Sequence, residues 1–502
     1  MSREAFAALE AEVQTIHDLE MARELLSWDQ QCIMPVAAND QRANQVETLS
    51  VLIHDRLTSD SIGQLLDESA DVGAAAGAES YEAGLLRLVR RIYDLSRRIP
   101  SELEGRIAQA EAEGFATWRD ARAANDFAAF LPVLEKQIAL RKEYIACFDP
   151  TESPYDVLLD RFEEGATVAQ IDPIFDRLKP RLIELTRAVA ANQDKVDDGL
   201  LFGSFPKAAQ VQLSEDIAAV LGATEASWRV VETVHPFQQS FGTKDIRLAT
   251  RYDEDFFSTA FYGTIHEFGH GLYEAQIDPS LDRTPLATGV SMTVHESQSR
   301  LLENLVGRGR PFVNYAWPLI RAAFPDALDA YSAEEFYRAV NKMQPSFIRV
   351  EADELTYGLH IILRYELERD LFEGRLEAKD LPEVWNARMK EYLGVEVPDD
   401  AHGVLQDVHW SEGLFGYFPD YLLGTVLSVQ IWEKMMVDIP DLTEQIEQGD
   451  FAALREWLRT HVHWSGSKFP PRETIERAVG GPLDPEPYLR YLERKIADLY
   501  GI

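Results

Sequence analysis

The stretch Phe256 to Gln276 constrains this chain more than any other. It contains no proline, and Phe256, Phe257, Ala260, Phe261, Ile265, Phe268 and Leu272 recur at helical spacing, which predicts a buried helix. His266 and His270 stand one turn apart on that helix, so both can turn a ring nitrogen toward one metal ion. Glu267 points about 100° away around the axis. It is poorly placed as a third ligand, yet near enough to take a proton from a water held by the metal. The pattern is H-E-x-x-H. With 11 histidines in 502 residues it seldom arises by chance, and two unrelated core histidines are the weaker explanation.

A catalytic zinc needs three protein ligands and an open position. Gln276 occupies the place, six residues after His270, where a third histidine would complete a metzincin site, so that pattern fails. A glutamate from a following helix is the other common solution. Glu296 lies 26 residues past His270, and Glu274 and Glu303 are alternatives; each could instead be a surface ion-pair partner.

Charge narrows the function classes. Lys+Arg 49 against Asp+Glu 85 gives a net charge of -36, which excludes a nucleic-acid partner and docking on anionic lipid. The N-terminus is acidic and amphipathic, unlike a signal peptide, and the apolar stretch Tyr421 to Trp432 is too short and interrupted for a membrane span. Cys32 and Cys147 form no C-x-x-C pair, so neither a disulfide framework nor a cysteine zinc site is expected, and a reducing cytoplasm fits.

Organisation follows from periodicity. Residues 1–225 read as helices, among them 2–28, 40–56, 81–98, 101–124, 127–146 and 168–192, with 70–78 as a loop or weak helix. Holding only His17 and His54, this part is scaffold or groove wall. β-branched and aromatic segments at 227–237 and 245–252 predict a small sheet just before the metal helix. A second helix around Glu296 and a long one from Ile348 to Phe372 follow, and 226–425 carries the chemistry. Within it, residues 403–421 gather His409, Tyr417 and Tyr421, a set able to stabilise an oxyanion or simply to fill an aromatic core. Residues 426–502 return to helices; His461 and His463 there read as structural.

Together these segments resemble the M32 family of metallocarboxypeptidases. The resemblance covers the whole chain and rests on His235-Pro236-Phe237, Asp245-Ile246-Arg247, the H-E-x-x-H stretch, His295-Glu296-Ser297-Gln298, Ile348-Arg349 through Asp353, and Gly403 through Trp410. One departure is Ala249, where the family pattern D-x-R-x-T has threonine. The resemblance implies one catalytic domain over 1–502. Its fold would be mainly α and two-lobed, with a deep groove and a small β-sheet beside the H-E-x-x-H helix, as in angiotensin-converting enzyme and neurolysin. It implies a homodimer, Glu296 as third ligand, and zinc or cobalt as the metal.

The expected activity is release of C-terminal amino acids from peptides, with Glu267 as general base and His409, Tyr421 and Tyr417 at the oxyanion. A terminal carboxylate calls for arginine. Arg349 and Arg247 are the candidates, each with a competing role as an ion-pair partner, Arg349 with Glu351 or Asp353 and Arg247 with Asp245. His235 either touches substrate or packs on its strand. An oligoendopeptidase would use the same site, and a non-catalytic metal-dependent binding protein would leave Glu267 without a task.

Overall fold

The computed structural model describes residues 2–149 and 151–502. It is 69% helical, with one three-stranded sheet. Two compact units interleave along the chain. The first comprises Met1–Arg97, Asp198–Val340 and Ile431–Pro482; the second comprises Arg98–Asp197, Asn341–Gln430 and Leu483–Ile502.

In the first unit, helices Ser2–Cys32 and Asn39–Leu57 are separated at Pro35, as proline's missing N–H requires. The small-residue run at 70–78 is mostly helix, since Asp60–Ala76 continues through its alanines, the best helix formers. The sheet differs from a simple hairpin. β1 (Trp228–Glu232) and β3 (Ile246–Thr250) run parallel, and β2 (Phe237–Ser240) pairs antiparallel on the other side of β3. The central strand is the most buried, and Ala249 sits in it opposite Val231 and Phe237.

The H-E-x-x-H helix, Ser258–Ala275, packs between this sheet and the helix Met292–Arg300. Two glycines permit the approach. A Cβ on Gly271 would lie 2.7 Å from Trp228 and 2.8 Å from Ile246, so a side chain there would push the sheet away. A Cβ on Gly269 would lie 2.6 Å from both Gln298 O and Ser299 Cα, which is backbone and cannot swing aside. Ser291 caps the second helix by accepting from Val294 N at 3.3 Å, and a π-helical stretch, Leu301–Gly307, extends it.

In the second unit, helices Ser101–Ala124, Phe127–Ile145 and Val168–Ala190 closely match the spacing-based spans, and Glu486–Tyr500 is one of the helices that end the chain. The stretch 348–372 does not form one helix. Arg349–Glu351 is a 3-10 turn and the helix proper is Tyr357–Phe372. Asp353 ends the turn by accepting from Leu355 N and Thr356 N at 2.9 and 3.1 Å.

The close crossing at Gly269 makes Gly269→Ala destabilising by about 1–3 kcal/mol, the usual cost of forcing atoms into a packed interface. Gly263, on the same helix, has only ordinary contact at its Cβ position, 3.5 Å from Thr250 Oγ1. Gly263→Ala is therefore neutral or stabilising by up to about 1 kcal/mol. Denaturant unfolding of the two variants checks the contrast.

Candidate metal centre

The first unit brings His266, His270 and Glu296 together. Their ligating atoms all lie within 4.8 Å of one another, with His266 Nε2 and His270 Nε2 at 3.6 and 3.4 Å from Glu296 Oε2. These separations are long for hydrogen bonds. They match the roughly 3.3 Å expected between ligands about 2.05 Å from one tetrahedral ion. Two imidazoles and a carboxylate also form a known donor set for a divalent cation, so the residues fit such a group.

The outer nitrogens are held too. His266 Nδ1 lies 2.9 Å from Glu303 Oε2, and His270 Nδ1 lies 2.6 Å from His295 Nδ1. His295 Nε2 is in turn 2.9 Å from Glu274 Oε1. Glu274 and Glu303, which spacing alone offers as ligands, therefore stand behind the histidines. Glu296 accepts from Arg300 Nε at 2.6 Å and Ser299 Oγ at 2.8 Å. Spacing offers Glu274 and Glu303 only as alternative ligands and does not reveal Arg300 or His295 as contributors; the adjacency of His295 to Glu296 is the one signal.

Burial opposes ionisation of Glu296 and Glu303, but their charged neighbours prevail and hold both carboxyls well below the usual range. Arg300 leads those neighbours for Glu296; the His266 hydrogen bond leads them for Glu303. His270 is pushed down to about 4 by burial, which keeps the ring neutral, the form that ligates a metal. Glu267 is buried and is pushed up to about 7, by desolvation first and by Glu296 and Glu303 next. Its carboxylate accepts no hydrogen bond among the described residues.

His235 is exposed in the turn between β1 and β2, not packed on a strand. Arg247 forms a two-bond fork with Asp245, both bonds 2.9 Å, and its guanidinium lies 4.4 Å from the Trp28 ring centre and 4.7 Å from that of Phe241. Gln276 and His463 meet as well, at 2.7 Å, and His463 is wholly buried, its other ring nitrogen 2.9 Å from Gln298.

In the second unit, His409 Nε2 lies 3.3 Å from the Tyr421 hydroxyl, and Tyr417 packs edge-on against Tyr421 with ring centres 5.2 Å apart. Burial pushes His409 down to about 3, with Arg349 adding to the effect. Arg349 is buried, and its ion-pair partner is neither Glu351 nor Asp353. Its Nε donates to Asp407 at 2.9 Å and its Nη1 to Tyr357 at 3.1 Å. Asp407 also accepts from Arg364 at 2.6 Å. Glu368 anchors the His409 segment, accepting from Trp410 Nε1 at 2.7 Å, Gly416 N at 2.8 Å and the Tyr155 hydroxyl at 2.5 Å.

Comparison with known proteins gives the same direction. The carboxypeptidase Taq (M32) metallopeptidase model matches residues 8–496. The chain belongs to the M32 family. It is 39% identical to thermostable carboxypeptidase 1 of Thermus thermophilus over 486 residues, and 38% identical to carboxypeptidase 1 of Bacillus subtilis over 476. Each alignment covers 95% of both chains. The crystal structure of the M32 carboxypeptidase from Deinococcus radiodurans R1 superposes with a TM-score of 0.95 at 36% identity, covering 99% of this chain and 100% of that one. The mainly helical M32 fold is thus shown, and this M32 chain is a metal-dependent carboxypeptidase.

Burial pushes Glu368 up to about 7 despite its three hydrogen bonds. Its folded value lies above the unfolded value near 4.5, so the folded chain binds this proton more tightly. The group's contribution to stability is full below about pH 4.5 and is lost as pH rises toward 7. The unfolding free energy of the wild type falls relative to that of Glu368→Gln across this window, as thermal or denaturant unfolding at stepped pH will read.

Proposed function

We propose that the chain releases amino acids singly from the free C-terminus of peptides, using His266, His270 and Glu296 as ligands of one divalent ion and Glu267 as general base. The observation that carries this is the convergence of three ligating atoms beside an ionisable carboxyl with no competing hydrogen bond, in a chain of this family. Zinc suits two imidazole nitrogens and one carboxylate, and cobalt takes the same set. Such an ion would polarise the scissile carbonyl and acidify water beside it.

Glu267 takes the proton of the attacking water and hands it to the leaving amine. Burial, which raises the Glu267 carboxyl, helps it hold the proton between the two transfers. His409 and Tyr421, with Tyr417 behind them, are assigned to the charge on the substrate's carbonyl oxygen, a role supported by their pairing and by the neutral ring of His409. For the terminal carboxylate, Arg349 is the stronger candidate and Arg247 the weaker. Arg247 spends a two-bond fork on the Asp245 carboxylate, whereas Arg349 gives one bond to Asp407 and one to the neutral Tyr357 hydroxyl. The exposed His235 is assigned a substrate contact.

Both compact units are taken as parts of one catalytic domain spanning 1–502. A homodimer in the cytoplasm completes the reading. Exposed Ile33, Val36, Val51 and Leu52 near the N-terminus are apolar surface of the kind self-association covers, and two free cysteines suit a reducing compartment. No described helix is long and apolar enough to cross a membrane.

Glu267→Gln is expected to retain the metal and lose about 10²–10⁴-fold in kcat, measured on a peptide with stoichiometric metal confirmed. Retained activity in that loaded variant would remove Glu267 from the mechanism. A peptide and its C-terminal amide, digested in parallel and read by mass spectrometry, separate exopeptidase from oligoendopeptidase. Only the free acid should shorten residue by residue; equal cleavage of both would establish endopeptidase action.

A further inference from the structure

His270 can ligate an ion through Nε2 only if its hydrogen sits on Nδ1. What faces that nitrogen is neither a carboxylate nor a carbonyl but another ring nitrogen, His295 Nδ1, 2.6 Å away. Two bare nitrogens would repel at this distance and two N–H groups would collide, so one hydrogen lies between them. If it belongs to His270, His295 carries its own hydrogen on Nε2. That atom faces Glu274 Oε1 at 2.9 Å, an acceptor. The opposite assignment puts a hydrogen on His270 Nε2, where the ion must bind, and leaves a bare His295 Nε2 against a carboxylate.

We propose that His295 and Glu274 are positioning residues, a two-step relay in which His270 donates to His295 and His295 donates to Glu274, fixing the tautomer and orientation of the ligand. The inference rests on reading His266, His270 and Glu296 as the metal centre. The surroundings hold the relay in place. Glu274 accepts from Gly289 N at 2.8 Å, Ser240 Oγ at 3.1 Å and Thr288 Oγ1 at 3.2 Å, so its carboxylate cannot swing away freely. The His295 ring is packed against His270 and Tyr273, with ring centres 4.7 and 5.4 Å apart. A Cβ on Gly289 would lie 2.5 Å from His295 Cδ2, so this position admits no side chain unless the ring moves. His266 differs, since Glu303 meets its Nδ1 directly. The two ligands on one helix are thus steered by different devices, and a carboxylate two bonds removed still raises the basicity of His270.

The test uses the cobalt-loaded protein, reading the Co²⁺ dissociation constant by chelator competition and the visible absorption of the bound ion. His295→Phe keeps a ring but offers His270 no acceptor, and its affinity should fall about 10–100-fold with a changed spectrum. His295→Asn places an amide oxygen near the position of Nδ1 and should recover most of that loss. Gly289→Ala, which removes no group, should weaken binding by displacing the ring. Wild-type affinity and spectrum in His295→Phe would overturn the proposal, as would equal losses in the Phe and Asn variants. Should His295→Phe fail to fold, Gly289→Ala and Glu274→Gln decide, and wild-type behaviour in both overturns it. If the wild type itself binds Co²⁺ no better than His266→Ala, the metal-centre reading fails before the relay is reached.

Discussion

The site depends on one close contact, the crossing of the H-E-x-x-H helix over the helix that carries Glu296. Two histidines four apart on a helix provide only two ligands, and the third must come from elsewhere at a separation of about 3.4 Å. Backbone against backbone at Gly269 makes this possible, because any Cβ there would meet Gln298 and Ser299 at 2.6 Å. Gly271 leaves room on the sheet side, where a Cβ would meet the Trp228 and Ile246 side chains at 2.7 and 2.8 Å. The two glycines flanking His270 thus set its distance from both neighbours, the backbone of the second helix at Gly269 and the side chains of the sheet at Gly271.

That packing gathers buried charge. Glu274, Glu296 and Glu303 all stay ionised, against Arg300 and Arg308 as the nearby permanent cations. Buried carboxylates are costly unless paired, so the cluster carries a standing demand for positive charge that a divalent ion meets. Burial first, and the negative Glu296 and Glu303 after it, raise the Glu267 carboxyl to about 7. In the second unit the logic reverses, with Arg349 and Arg364 sharing the single carboxylate of Asp407, and His409 kept uncharged by burial first and by the two arginines after it.

What the sequence disclosed follows a division between local and distant contacts. The helices at 81–98 and 101–124 were legible because periodicity and proline punctuation are local signals, and so was the His266–His270 pair. The choice among Glu274, Glu296 and Glu303 was not, since spacing cannot show which carboxylate faces Nε2 and which faces Nδ1; family likeness selected Glu296. Arg349 was matched to acids two and four residues away, yet its partner Asp407 is 58 positions on. The parallel pairing of β1 with β3 also lies beyond local pattern, because the intervening strand joins the opposite side of β3. Helix continuity through 348–356 is broken by a local competitor, the Asp353 side chain, which accepts from Leu355 N and Thr356 N.

The position of the bound ion tests the proposed metal centre most directly. Anomalous scattering at the zinc edge from crystals of the zinc-loaded protein measures it. A single site is expected, bonded to His266 Nε2, His270 Nε2 and the Glu296 carboxylate, with no fourth protein ligand and Glu267 beside the open position. A peak elsewhere, or a fourth coordination position closed by a protein side chain, would contradict it.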